Sequence, residues 1–155
     1  MPWHVISNDR LWNSNDIEDA FVSIQTKPWD RRWIEEVSQN PKQMDMILFL
    51  GCHTRRYVDK INFVIDILDA VGLKAVTIRG GKLCCGTPAQ CVGKLSYADE
   101  PGIKLISKLS RYNPKEVLVM YPICLYRMQI ETPRIFDVPF KVTNVRKKIE
   151  EKFIR

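Results

Sequence analysis

The residues of this sequence best equipped for chemistry are its five cysteines: Cys52, the adjacent Cys84 and Cys85, Cys91 and Cys124. Thiolates bind soft metals and exchange with disulfides, and four of them complete an ordinary four-iron cluster. An odd number argues against a closed disulfide framework. Neighbouring cysteines chelate one tetrahedral metal with difficulty. Cys84 and Cys85 can instead each ligate a different iron, or one sulfur can bridge two. Four thiolates also suit zinc, as in a zinc-stabilised interaction module, but zinc ligand pairs are usually separated by about two to four residues. A metal-free thiol oxidoreductase is the third reading, with Cys84 and Cys85 as redox groups whose strained vicinal disulfide reopens easily.

The elements that must position these sulfurs follow from the apolar pattern. Met46 to Leu50 is a continuous apolar run ending in Gly51-Cys52, which predicts a buried strand. Tyr57 to Val71 predicts an amphipathic helix, with Ile61, Val64, Ile65, Leu68 and Val71 on one side and Gly72 closing it. Lys74 to Ile78 is a second strand, ending at Gly80-Gly81. A short helix is expected from Ala89 to Ala98 and another from Pro101 to Leu109. Glu116 to Met120 is a third strand and runs into Tyr121-Pro122-Ile123-Cys124. Val138 to Val142 reads as a fourth, before a final helix from Asn144 to Phe153. This order predicts a small parallel α/β sheet with helices on both faces. Ligands gather beyond the carboxyl ends of such strands. Cys52, the Cys84–Cys85 pair and Cys124 all follow strand ends, so three distant stretches should deliver sulfur to one edge. Gly51, Gly80, Gly81 and Gly86 suit loops that bend tightly and bring backbone N–H groups near sulfur. Pro88 and Pro122 stiffen the same loops.

Residues 1–44 differ from residues 45–155. They hold all four tryptophans, Trp3, Trp12, Trp29 and Trp33, and no cysteine. Ile17, Ala20, Phe21 and Ile24 follow the cap-like Asn13 to Asp16 at helical spacing. Pro28 opens a second expected helix through Val37, and Asn40-Pro41 ends it. The segment reads as an N-terminal helical arm, packed on the parent domain or covering an interface with a partner subunit.

The chain has 155 residues, is 45% hydrophobic and carries a net charge of +6. That suffices for one compact domain with a real core. No apolar run reaches about 18 residues, so no membrane span is expected. The opening residues do not read as a signal peptide, and a cytoplasmic location with reduced thiols is the expectation. The basic residues are scattered, apart from Arg31-Arg32, Arg55-Arg56 and the tail. The tail's Arg146, Lys147, Lys148, Lys152 and Arg155 alternate with Val145, Ile149 and Phe153 as on a solvated helix face. No recognition motif accompanies the charge, so nucleic acid is not expected; an acidic redox partner is the alternative.

Leu50-Gly51-Cys52, then 31 residues, then Cys84-Cys85-Gly86, then about 35 residues, then Tyr121-Pro122-Ile123-Cys124 resembles the cysteine-rich CCG domain. That domain occurs in the cysteine-rich subunit of heterodisulfide reductase and in iron–sulfur subunits of glycolate and lactate oxidases. The resemblance spans residues 45–153 and covers a single copy where family members usually carry two. It implies an iron–sulfur subunit of a heterodisulfide-reductase-like complex, carrying electrons to or from a thiol/disulfide substrate. It implies Cys52, Cys84, Cys85 and Cys124 as ligands of a 4Fe-4S cluster, cubane or noncubane, with iron–sulfur or flavin subunits as partners. A second CCG subunit or a homodimer would supply the missing half. The departure is Tyr121, which stands where the family's final CxxC has its first cysteine. Either four cysteines suffice, or Cys91 becomes a fifth ligand, or Tyr121 or solvent leaves an iron open. Beside these readings, Cys91 is a buried free cysteine on a helix. His53 is a hydrogen-bond donor to a cluster sulfur or a loop and capping residue.

Overall fold

A computed structural model of the chain describes residues 26–52, 57–79 and 83–154. Within them, four strands form one all-parallel sheet: β1 (Met46–Phe49), β2 (Val76–Ile78), β3 (Glu116–Val119) and β4 (Lys141–Asn144), in the order β2-β1-β3-β4. The helices are α1 (Val58–Ala70), α2 (Thr87–Cys91), α3 (Leu95–Ser110), α4 (Pro122–Tyr126) and α5 (Val145–Phe153).

Alternation along the strands builds two cores. Ile47 and Phe49 of β1, Val117 and Val119 of β3 and Val142 of β4 face one side. There they meet Leu105, Ile106 and Leu109 of α3 together with Met128. Leu48, Leu50 and Leu118 face the other side and meet Val58, Ile61, Ile65 and Leu68 of α1 and Val145 of α5. Helices therefore cover both faces, as the sequence predicts. The reason is directional: the chain moves outward from β1 to β2, then back across to β3, and right-handed crossovers in opposite directions lie on opposite faces.

The helix expected over Pro28–Val37 does not form. A 3₁₀ turn occupies Pro28–Asp30, and the chain then extends so that Ile34 pairs in parallel with Ile78 on the outer edge of β2. Ile34 N–H donates to Thr77 O at 2.8 Å, and Arg79 N–H donates to Ile34 O at 2.8 Å. The buried Arg79 meets Glu35 at 2.6 Å, and Arg32 reaches Asp66 and Asp69 of α1. Capping an exposed sheet edge outweighs the weak helical preference of this stretch. Trp33 is buried in the second core and Val37 in the first, whereas Trp29 is exposed. The expected helix over Ile17–Ile24, together with His4, Trp3 and Trp12, lies outside the described residues.

Other boundaries shift for identifiable reasons. The helix expected to begin at Pro101 begins at Leu95 and runs through the proline. The buried Ala98, whose carbonyl packs on Gly86, holds the turn that the proline would otherwise end. The fourth strand starts at Lys141 rather than Val138. Its register sets Val142 beside Val117 and lets the Thr143 hydroxyl donate to Glu116 at 2.6 Å. Asn144 is the cap of α5 rather than its first residue, accepting from Arg146 N–H at 2.9 Å. Val145 and Ile149 of α5 pack inward, but Phe153 is exposed. Among the described residues, no helix is long and apolar enough to cross a membrane.

Candidate sulfur site

The carboxyl ends of β1 and β3 are adjacent, and the chain leaves them in opposite directions, toward β2 and toward β4. A crevice opens at such a switch point. Gly51 turns the chain out of β1 with φ +73°, and a Cβ there would stand 3.2 Å from Cys124 Sγ. This glycine thus lets the first loop press directly on a sulfur delivered by the third. Pro88 and Pro122 both sit in the first turns of short helices, α2 and α4, rather than in loops, because proline there lacks only a donor that a helix start leaves unused.

The sulfurs form a chain of contacts, with Cys84 and Cys85 joining its two ends. Cys52 Sγ lies 3.9 Å from Cys84 Sγ, and Cys85 Sγ lies 3.4 Å from Cys124 Sγ. Cys85 and Cys124 are buried at 2% exposure each, Cys52 and Cys84 are half-buried, and Cys91 is exposed. Gly86 N–H donates to Cys84 Sγ at 3.4 Å. The Thr87 hydroxyl is 3.3 Å from Cys85 Sγ. A pocket of about 160 Å³ opens among Cys52, Cys85, Cys91, Cys124, Thr87 and Tyr121, with Pro88 and Ile123 completing its apolar wall. Three separate sequence regions do bring their cysteines to one place.

The environment divides the thiols. Hydrogen bonds from Cys124, Cys84 and Thr87 outweigh burial and hold the Cys85 thiol well below the ordinary thiol range. Cys84 is pushed up, first by its hydrogen bonds with Cys52 and Cys85 and then by burial. Cys124 is pushed up by its bond to Cys85 and by burial. A thiolate is the form that ligates metal or attacks sulfur.

The Cys84–Cys85–Gly86 loop is clamped from behind. Gly86 has φ +90°, and a Cβ there would fall 1.9 Å from the Ala98 carbonyl oxygen. Arg127, buried, donates through Nε to the Cys85 carbonyl at 3.3 Å. Its two other nitrogens bind Glu131 at 2.6 Å and Asp99 at 2.5 Å, and Gln90 donates to Glu131 at 2.9 Å. Arg127 begins a π-helical turn, Arg127–Glu131, that continues α4. Wide turns of this kind recur at functional sites.

The sequence singles out neither Thr87 nor Arg127. Thr87 follows the Cys-Cys-Gly triplet directly and was findable from that position; nothing local marks Arg127. Cys91 is not the buried cysteine of one expectation: α2 ends with it at the pocket rim, because the five-residue helix lies over the opening rather than in the core. Tyr121 caps α4 and lines the same pocket. His53, Gly80 and Gly81 lie outside the described residues.

Among the described residues, no three His, Cys, Asp or Glu side chains converge on a point where a single metal ion could sit. A mononuclear zinc centre needs four ligands around one such point. The four thiols are soft donors of the kind that ligate iron or zinc. No protein-family model, curated protein or solved structure matches the chain.

Proposed function

We propose that this chain is the iron–sulfur subunit of a heterodisulfide-reductase-like redox complex, passing electrons to or from a thiol/disulfide substrate. The carrying observation is that Cys52, Cys85 and Cys124 line one pocket at the switch point of the sheet, with Cys84 Sγ behind it at 3.9 Å from Cys52 Sγ. These four would hold a 4Fe-4S cluster, which when bound supplies one-electron steps that thiols alone handle badly in water. The chain's own residues do the rest. Gly86 N–H donates to Cys84 Sγ, which stabilises negative charge there, and the Thr87 hydroxyl is hydrogen-bonded with Cys85 Sγ. Arg127 fixes the backbone of Cys85. Pro88, Tyr121 and Ile123 supply the apolar part of the pocket lining.

An electron-supplying or electron-accepting iron–sulfur or flavin subunit completes the reaction, and a second copy of the domain supplies the other half of the usual pair. Reduced thiols fit a cytoplasmic setting. The test is iron quantitation with electron paramagnetic resonance on oxygen-free protein. Brown protein with about four irons per chain is expected, and Cys124→Ser should lose the signal. A colourless protein loaded with zinc, or one that takes up no iron under reconstitution, overturns the proposal.

One observation favours a second reading. The 3.4 Å contact between Cys85 Sγ and Cys124 Sγ is also the arrangement of a metal-free thiol oxidoreductase. Recovery of a Cys85–Cys124 disulfide, by peptide mapping, after iron-free protein has turned over a disulfide would support it.

A further inference from the structure

The pocket holds sulfurs of very different accessibility. Cys85 and Cys124 are buried at 2% exposure, so an incoming disulfide cannot align with either. Cys52 and Cys84 are half-buried and spent on each other at 3.9 Å. Cys91 alone among the five is exposed, and it borders the same pocket as Cys52, Cys85 and Cys124. Its placement follows from α2. Thr87 and Cys91 are four residues apart, one helical turn, and so share a face of this helix. Thr87 touches Cys85 Sγ at 3.3 Å, which sets Cys91 over the opening that leads to Cys85. At about 160 Å³ the pocket is smaller than the usual small-molecule site of roughly 300–1,000 Å³, and Pro88 and Ile123 make its wall apolar. It fits one arm of a small organic disulfide.

We propose that Cys91 receives the substrate sulfur as a mixed disulfide at the mouth of the pocket. This rests on the redox reading above and assigns Cys91 a role other than ligand. In the first step the Cys91 thiolate attacks one sulfur of R–S–S–R′. The Cys91–S–S–R bond forms, the substrate S–S bond breaks, and R′–S⁻ leaves with the electron pair and takes a proton from solvent. No net electrons move. In the second step two electrons and two protons cleave the mixed disulfide to Cys91–SH and R–SH. The electrons come from the reduced iron–sulfur or flavin partner through the cysteine pocket beneath, and the protons from solvent at the exposed rim.

The experiment uses iron-loaded, oxygen-free protein with diethyl disulfide as probe, read by intact mass, peptide mapping and iron content. Wild type should gain one ethylthio group on Cys91 and keep its iron. Cys91→Ser should keep its iron and lose the adduct by about tenfold or more. After chemical reduction of the iron centre, wild type should clear the adduct, whereas Cys124→Ser should retain it. First modification of Cys52 or Cys84, loss of iron in Cys91→Ser, or equal persistence of the adduct in both proteins overturns the proposal. A wild-type chain that takes up no iron but still carries the group on Cys91 overturns the cluster reading alone and supports Cys91 as acceptor.

Discussion

Cys85 Sγ and Cys124 Sγ touch at 3.4 Å although 39 residues separate them in the chain. A disulfide needs its sulfurs at about 2.05 Å, so a small approach closes this pair, whereas Cys84 and Cys85 can join only as a strained vicinal link. Protein stripped of iron and oxidised in air should therefore form Cys85–Cys124 ahead of Cys84–Cys85. Non-reducing peptide mapping reads the outcome, and predominance of the vicinal link would contradict the pairing.

Gly86 and Gly93 both have positive φ, at +90° and +78°, but only Gly86 has a neighbour in the way. Gly86→Ala should cost about 3 kcal/mol or more, because backbone strain adds to a collision with the Ala98 carbonyl. Gly93→Ala, with nothing within 4 Å, should cost only about 1 kcal/mol. Urea midpoints of the two variants measure the difference, and equal losses would mean that the Gly86 contact is relieved at no cost.

Arg127 joins the Cys85 loop, α3 and the π-helical turn through one guanidinium. Arg127→Met should destabilise by about 2–4 kcal/mol, since it removes the donor to Cys85 O and leaves the Glu131 carboxylate without its cation, with only Gln90 still donating to it. Asp99 is half-exposed and regains water. Arg127→Lys should recover only part of the loss, because an ammonium cannot fork to three partners. Full recovery by lysine in chemical denaturation would show that charge alone suffices.

Glu116 sits at the foot of β3, buried, and accepts from Thr143 and Lys148. Burial alone would raise its pKa, but the hydrogen bonds from Lys148 and Thr143 outweigh it and hold the carboxyl below the ordinary 4.5. An unfolded chain then binds more protons than the folded one in this window. The contribution is complete above pH 4.5 and is lost as pH falls through the depressed value. Glu116→Gln should flatten the acid limb of the stability profile. An unchanged profile would assign that limb to other carboxylates, such as Glu131, which Arg127 holds low.

Much of the frame was legible because its signals are local. Met46 to Leu50 and Val117 to Met120 are short apolar runs of strand length, and the 3.6-residue spacing from Ile61 to Leu68 marks a helix face. Cysteines that follow three of the four strands then predict one sulfur-bearing edge. The stretch from Pro28 to Val37 misled for the complementary reason. Its fate depends on an unpaired strand edge at Ile78, which lies more than forty residues away and leaves no mark on the local pattern.

By itself, the sequence determined the four strands, the parallel sheet and the edge to which the thiols belong, since hydrophobic period and chain direction fix these, but not every helix: the one expected over Ala89–Ala98 breaks between α2 and α3, and α4 carries no periodic signal. Tertiary structure alone decided which sulfurs pair, that Cys91 stands at the rim instead of in the core, and that Arg127 reaches the carbonyl of Cys85. Each of those depends on distances between segments brought together only by burial of the two cores, and such distances have no counterpart in spacing along the chain.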